Sequence, residues 1–208
     1  SPNFKRVIAR YMIADDLAMI ECAQACGLDL LEEEEKNALY TTSLGVGEMI
    51  VDAFHHGARR FMITLGGSAT NDGGIGMLTA LGICFLDGHH QPVSPNAQGL
   101  GEIVSIDRSH YLFQNEDVSF IAACDVENPL LGPHGATYVF GPQKGLQEER
   151  LECVDQAMAH YALLSEEALG KCYREIPGTG AAGGLGYAIV SYLGGRLEKG
   201  FEIVSQMV

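Results

Sequence analysis

The chain has 208 residues, of which 47% are hydrophobic and 19% are charged. A polypeptide of this length and composition can bury a full core, so we expect an ordered globular fold. Its formal net charge of −14 argues against a nucleic-acid partner, because phosphate backbones are bound by clustered Lys and Arg. The apolar runs are shorter than the roughly 20 residues of a membrane-spanning helix. We therefore expect no membrane partner and a cytoplasmic location.

The first half of the chain predicts helices, a strand and a glycine-rich loop in series. Apolar residues at helical spacing predict helices at 15–26 and 47–56. The segment 60–65 reads as a buried strand, and it runs into a loop with four glycines at 66–74. A short helix from 75 to about 82 follows. The order of helix, strand, loop and helix is typical of an α/β fold.

The second half continues in the same way. Three strands are predicted, at 83–87, 103–106 and 120–124, with a mixed edge of the sheet near the first two. The remaining predicted elements are a long helix at 147–169, a second glycine loop at 178–186 followed by an apolar helix to 193, and a strand at 201–204. We expect helices layered around a parallel or mixed sheet.

The loop 66–74 has the composition of an anion site. Its members that suit a phosphate are the glycines and polar residues Gly66, Gly67, Ser68, Thr70, Asn71 and Gly73. Asp72 lies within the same loop, where a carboxylate beside a phosphate is unfavourable unless it binds a metal or takes a proton. The sequence therefore allows two interpretations of the loop. It is either a phosphate site with an acidic group or a tight turn whose polar residues cap the next helix.

Two further residues carry charge at informative places. Asp125 comes directly after the predicted strand 120–124, where α/β folds place ligand-contacting groups, although a turn or cap aspartate is an equal alternative. Lys144 stands between glycines in the turn 141–145, as a cation that steers a phosphate would. An exposed turn lysine is the ordinary alternative.

Several known motifs are excluded. The segment 178–183 matches GxGxxG but follows no clear strand, so a dinucleotide site is disfavoured, and the loop remains an anion-binding helix start. No GxxxxGK[ST] segment occurs, which excludes a P-loop. Ser68 does not lie in a GxSxG nucleophile elbow, because position 70 is Thr rather than Gly.

Four segments together resemble the glycerate kinase family of bacterial glyoxylate and sugar-acid pathways. They are GGSATNDGG at 66–74, ACDVENPLLGP at 123–133, FGPQKG at 140–145 and GTGAAGGLG at 178–186. The resemblance implies a two-domain α/β enzyme that uses ATP and Mg²⁺ to phosphorylate D-glycerate. It implies 2-phosphoglycerate as the product, although related kinases give the 3-phospho isomer.

The resemblance also implies that the chain is part of a longer enzyme. Complete members begin with a strand and an Asp-Ser-Phe-Lys-Gly motif and later carry Asp-Gly-Gly-Glu-Gly-Thr, and neither occurs here. We therefore expect 1–208 to be the central portion, with an inner domain at about 40–175. The flanking segments 1–39 and 176–208 would belong to the second domain.

The predicted mechanism places both glycine loops in one cleft. Asp72, Asp125 and Lys144 are the predicted catalytic residues, and the two aspartates are also the predicted Mg²⁺ ligands. The predicted substrate- and phosphate-binding residues are Gly66, Gly67, Ser68, Thr70, Asn71, Gly73, Asn128, Gly178, Thr179, Gly180 and Gly183. A homodimer is one assembly that the sequence allows. The alternative function is a truncated, non-catalytic module that binds a hydroxy acid or a nucleotide.

Overall fold

A five-stranded sheet forms the centre of the fold. The structure is a computed structural model that describes residues 1–200. The strands of the sheet are β1 (Met12–Ala14), β2 (Leu17–Glu21), β3 (Arg60–Thr64), β6 (Ser119–Ala123) and β7 (Arg196–Glu198). They lie in the order β1-β2-β3-β6-β7 across the sheet. β1 is antiparallel to β2, whereas β2, β3, β6 and β7 are parallel.

Six α-helices and a small second sheet complete the described part of the chain. The helices are α1 (Ala23–Cys26), α2 (Leu44–His55), α3 (Ile75–Ala80), α4 (Ala136–Phe140), α5 (Glu148–Leu169) and α6 (Ala181–Tyr192). The second sheet pairs β4 (Cys84–Leu86) with β5 (Ser105–Asp107) in antiparallel fashion. The predicted α/β class is confirmed. No helix within residues 1–200 combines the length and the apolar character needed to cross a membrane.

One face of the large sheet is the core. Alternate residues point to this face, as the two-residue period of a strand requires, and those of the three central strands are Ala18, Ile20, Phe61, Ile63, Phe120 and Ala122, all buried. Phe61 stacks on Phe120 with ring centroids 4.8 Å apart. Helices α2 and α6 contact this face. Burial of these side chains positions the carboxyl ends of β3 and β6 side by side, which is where the site lies.

The predicted helix at 15–26 is wrong for most of its length. Residues 17–21 form β2, and only the short α1 is helical. Leu17 and Ile20 fit both a helical and a strand pattern over so short a run. Pairing with β3 decides for the strand, because it puts Ala18 and Ile20 into the core. Asp15, with a φ of 55°, makes the turn from β1.

The other predicted strands and helices have mixed outcomes. The strands at 83–87 and 103–106 are confirmed, but they pair with each other as β4 and β5 and do not extend the large sheet. The sequence missed β7, a short edge strand in which Arg196 and Glu198 flank a single apolar residue. The predicted strand at 201–204 lies outside the described residues.

The boundaries predicted near residues 39 and 176 do not separate the sheet. β2 comes from the first flanking segment and β7 from the last, yet they pair directly with β3 and β6 of the central segment. The division into an inner domain and flanks therefore stays a prediction about the longer protein.

The two glycine loops pack directly against each other. The amide of Gly73 donates to the carbonyl of Gly183 over 2.9 Å. Gly183 has a φ of +67°, and a Cβ added there would lie 2.0 Å from the carbonyl oxygen of Thr70. Only glycine fits this position, because an L-residue would strain the backbone and clash with the facing loop.

We expect Gly183→Ala to destabilise the fold by roughly 2–5 kcal/mol, from the left-handed backbone and the overpacking together. Urea unfolding of the purified chain measures this. Gly88→Ala is the matched control, since a Cβ at Gly88 would meet nothing within 4 Å. Equal unfolding midpoints for the two variants would show that the loops can separate without cost.

Candidate functional site

A cavity of about 250 Å³ opens at the carboxyl ends of β3 and β6. Parallel strands of α/β sheets commonly present their ligand sites at this edge. The cavity is lined by Leu28, Leu65, Gly66, Gly67, Ser68, Ala123, Cys124, Asp125, Val126, Phe140, Gln143, Lys144, Ala181 and Ala182. Predicted site residues from three separate motifs therefore meet at one place, among them Ser68, Asp125 and Lys144.

Lys144 is buried, which excludes the exposed turn lysine as an alternative. Its side chain is only 3% exposed. The Nζ atom donates to Ser68 Oγ over 3.0 Å and to the carbonyl oxygen of Thr70 over 2.7 Å. No carboxylate forms an ion pair with it within residues 1–200. A buried ammonium without a counter-ion is unfavourable, so an anion in the cavity would stabilise it.

The turn that carries Lys144 is fixed by glycine. Residues Pro142–Lys144 form a single 3₁₀ turn, and Gly145 ends it with a φ of +81°. A Cβ at Gly145 would lie 2.1 Å from the carbonyl oxygen of Lys36. The glycine thus lets the turn approach the neighbouring backbone and directs the lysine into the interior.

Three residues that line the cavity with Lys144 have backbone amides without a hydrogen-bond partner within residues 1–200. The amides of Gly66, Gly67 and Ser68 donate to no other group in the described part of the chain. Gly67 has a φ of +73°, a conformation that helps successive amides converge on an anion. The segment that ends α1 and follows it holds the loop, since Leu28 N donates to Gly67 O over 2.9 Å and Ala69 N to Cys26 O over 2.7 Å. Unpartnered amides together with a buried cation are the kind of donor set that can hold an anion.

Asp125 supplies the negative group of the cavity. It is exposed, and its Oδ1 accepts a hydrogen bond from the amide of Gly200 over 3.0 Å. It lies two residues after the end of β6 at Ala123, close to the strand end that the sequence predicts. The side chain lies at the rim with Gln143, also exposed.

Asp72 lies outside the cavity lining and is fully buried. Its Oδ2 accepts hydrogen bonds from Ser43 N and Ser43 Oγ, both over 2.7 Å, and from Gly76 N over 3.3 Å. Its Oδ1 accepts from Gly74 N over 3.1 Å. Burial raises the pKa of this carboxyl above its ordinary value. Such a saturated carboxylate joins the starts of α2 and α3 and has little capacity left for a metal ion.

The remaining predicted binding residues support the loops instead of lining the cavity. Thr70 and Asn71 are fully buried, and Asn71 Nδ2 donates to Thr137 Oγ1 over 3.0 Å. Asn128 Nδ2 donates to the carbonyl of His134 over 2.8 Å. The others that do not line the cavity are Gly73, Gly178, Thr179, Gly180 and Gly183. Their direct role in binding stays a prediction.

Sequence reasoning missed the residues that close the cavity. Phe140 and Gln143 belong to the FGPQKG segment, where only Lys144 was chosen because it alone carries charge. Leu28 and the start of α6, Ala181 and Ala182, have no chemical signal of their own and reach the cavity through the fold.

The pKa of Lys144 predicts a pH dependence of anion binding. Burial lowers this pKa to about 8, and the neighbouring Cys26, Cys22 and Asp72 offset only part of the effect. Cys26 keeps its proton, since its own pKa is raised well above the ordinary value, mainly by a hydrogen bond with Cys22. Below about pH 8 the lysine is charged and attracts an anion. Above it, the attraction is lost.

We therefore expect the affinity for sulfate, whose charge is constant in this range, to fall by up to about tenfold for each pH unit above 8. Calorimetric titrations between pH 7 and 10 measure the effect. Lys144→Met should bind sulfate weakly at every pH. An affinity that is flat in the unsubstituted chain would contradict a role for the lysine charge.

Comparison with known proteins gives a consistent result. The sequence model of the Glycerate kinase family matches residues 1–208. The chain is 46% identical over 191 residues to a glycerate kinase of Bacillus subtilis strain 168, covering 92% of this chain and 50% of that protein. It is 41% identical over 206 residues to a glycerate 2-kinase of Escherichia coli strain K12, covering 98% and 54%. The chain thus spans about half the length of the curated relatives it matches.

A solved structure agrees with the fold. The crystal structure of a protein described as glycerate kinase 2 from Salmonella typhimurium LT2 superposes with a TM-score of 0.95 at 40% identity. The match covers 99% of this chain and 55% of that one.

Proposed function

Since the chain belongs to the glycerate kinase family, we propose that its complete protein transfers a phosphoryl group from ATP to a hydroxyl of D-glycerate. The observation that carries the proposal is the buried Lys144 beside the free amides of Gly66, Gly67 and Ser68. Phosphoryl transfer needs mainly positioning and charge stabilisation. A lysine and three amides in a partly enclosed cavity supply both. The name of the E. coli relative, glycerate 2-kinase, favours 2-phosphoglycerate as the product.

The size of the cavity suits the reacting end of the substrates. At about 250 Å³ it is smaller than the roughly 300–1,000 Å³ of typical pockets for drug-sized ligands. A phosphoryl group or the small acid fits within it, whereas a complete nucleotide would extend beyond. We propose that Lys144 contacts the transferred phosphoryl group.

We propose Asp125, and not Asp72, as the carboxylate that would hold Mg²⁺. Mg²⁺ in kinases is usually held by one or two carboxylates together with substrate phosphates, and it neutralises charge on those phosphates. Asp125 lies at the cavity rim, where phosphates could supply the other ligands. No cluster of three or more His, Cys, Asp or Glu able to hold a metal occurs within residues 1–200. We propose Asp125 as the carboxylate of the reaction.

We expect Asp125→Asn in the complete protein to lower kcat at least about a hundredfold, as for loss of a metal-binding or proton-accepting carboxylate. Steady-state ADP release measures this, and a melting curve checks that the variant is folded. The control is Asp117→Asn in an exposed loop. Near-normal turnover of Asp125→Asn would remove this residue from the mechanism.

The second candidate is a binding module without catalysis. It is favoured by one observation, namely that all residues lining the cavity with Lys144 come from this chain. The deciding experiment is ADP release with Mg-ATP and D-glycerate, for this chain and for the complete protein, with identification of the phosphoglycerate isomer. Turnover by either supports the kinase. Binding of ATP without turnover by the complete protein supports the module.

The location, the assembly and the domain division of the complete protein are also proposals. We propose that the complete protein works in the cytoplasm and that a homodimer is the first assembly to test. We also propose two domains, with residues at about 40–175 in the inner one. Sedimentation of the complete protein tests the assembly.

A further inference from the structure

Ser68 and Lys144 form a close polar pair inside the cavity. Ser68 Oγ lies 3.0 Å from Lys144 Nζ, within the range expected for a nucleophile and its base. Both side chains are buried, and both line the cavity. The carbonyl oxygen of Thr70 accepts a second hydrogen bond from Nζ over 2.7 Å. This third group orients the amine toward the serine.

We propose that Ser68 and Lys144 act as a nucleophile and general base that accept the acyl group of a short-chain carboxylic ester. This activity is separate from phosphoryl transfer and needs no nucleotide. The acceptor atom is Ser68 Oγ, and the product of the first step is an acyl-serine.

The amine can act as a base at moderate pH. Burial lowers the pKa of Lys144 to about 8, so about half of the Lys144 side chains carry a neutral amine at pH 8. A neutral amine has a lone pair that can take the hydroxyl proton of Ser68. A pair of this kind requires that no carboxylate hold the lysine in its charged form, and none forms an ion pair with Lys144 among residues 1–200.

The cavity also offers donors for a developing oxyanion. The amides of Gly66, Gly67 and Ser68 are free of other partners in the described chain. Donors of this kind stabilise the tetrahedral intermediate of acyl transfer. Leu28, Leu65 and Phe140 form an apolar wall, and the volume of about 250 Å³ accommodates an acetyl or propionyl group.

The chemistry balances without a further co-reactant except water. Ser68 Oγ forms a bond to the carbonyl carbon while its proton moves to Lys144 Nζ. The bond from that carbon to the ester oxygen breaks, and the alcohol leaves with the proton from Nζ. Water then attacks the acyl-serine with the neutral amine as base, and Ser68 regains its proton as the acid departs.

The sequence alone could not reveal this pair. Ser68 lies outside a GxSxG elbow, and its base is 76 residues away along the chain. The fold brings them together by placing the turn Pro142–Lys144 against the loop after β3.

The test uses this chain with p-nitrophenyl acetate and no nucleotide. We expect a burst of p-nitrophenolate, with one acetyl group on the peptide that contains Ser68. The rate of the burst should rise as the pH increases through about 8, since the neutral amine is the base. Ser68→Ala and Lys144→Met should each lower this rate at least about a hundredfold. Ser94→Ala, at an exposed serine, should leave it unchanged.

Three results would overturn the proposal: acetylation of Lys144 instead of Ser68, a normal burst in Ser68→Ala, or no burst in the folded chain. Ser68→Cys keeps a nucleophile in place and should retain acylation, so it guards against a loss caused by misfolding. Because the assay contains neither ATP nor glycerate, its failure would leave the proposed kinase untouched.

Discussion

Replacing Lys144 with methionine is expected to weaken binding of pyrophosphate at least about a hundredfold while changing the free energy of unfolding by no more than about 2 kcal/mol. The methionine keeps most of the volume and removes a buried cation that no carboxylate pairs with among residues 1–200. Loss of the two hydrogen bonds from Nζ costs stability. Loss of the desolvated charge offsets that cost.

Calorimetry with pyrophosphate and urea unfolding measure the two quantities on the same preparation. Lys171→Met, at an exposed lysine, is the control and should change neither. If Lys144→Met binds pyrophosphate normally but unfolds easily, then the lysine has a structural role and the cavity is not an anion site.

Replacing Asp72 with asparagine is expected to act on folding, with a loss of roughly 3–5 kcal/mol in the free energy of unfolding. This is the opposite of Lys144→Met, which is expected to change binding much more than stability. The carboxylate accepts four hydrogen bonds, from Ser43 N, Ser43 Oγ, Gly74 N and Gly76 N. An amide has one acceptor oxygen, and its NH₂ group would face donors at the other position. Breaking a buried, fully used carboxylate in this way is among the costliest single changes.

Urea unfolding of this chain measures the loss, with Asp117→Asn as the exposed control. The outcome also decides what Asp72 does. A variant that is as stable as the unsubstituted chain, but inactive in the complete protein, would return Asp72 to the chemistry, as the sequence suggests. A variant that is unstable would make its effect on turnover a consequence of folding.

The strand ends were the most predictable part of the site. The segments 60–65 and 120–124 are apolar and are followed at once by Gly66 and Asp125, so the general behaviour of parallel sheets predicts that these residues meet. The cavity contains both. This inference needs only the direction and burial of two strands, which local sequence carries.

The position of Asp72 could not be predicted in the same way. The sequence places it in a loop of glycines and hydroxyl residues, where a carboxylate suggests catalysis. What determines its surroundings is Ser43, 29 residues away, and the starts of two helices that converge there. Long-range packing of this kind leaves no mark in the loop itself.

The burial of Lys144 and the strand at residues 17–21 also depend on contacts between distant segments. The lysine is buried in a turn that packs, at Gly145, against the backbone of Lys36, a contact between distant segments. Residues 17–21 have an apolar spacing that fits either a helix or a strand, and pairing with Arg60–Thr64 selects the strand. Both outcomes depend on tertiary contacts that override local preference.

The aromatic ring at the cavity wall has an optical consequence. The chain contains no tryptophan, and Phe140 is half-buried against the cavity. Phe140→Trp would therefore give this chain a single indole whose emission reports directly on this cavity. Quenching or a spectral shift on adding pyrophosphate could then be followed in a stopped-flow instrument, which would give the rates of ligand entry and exit without any label.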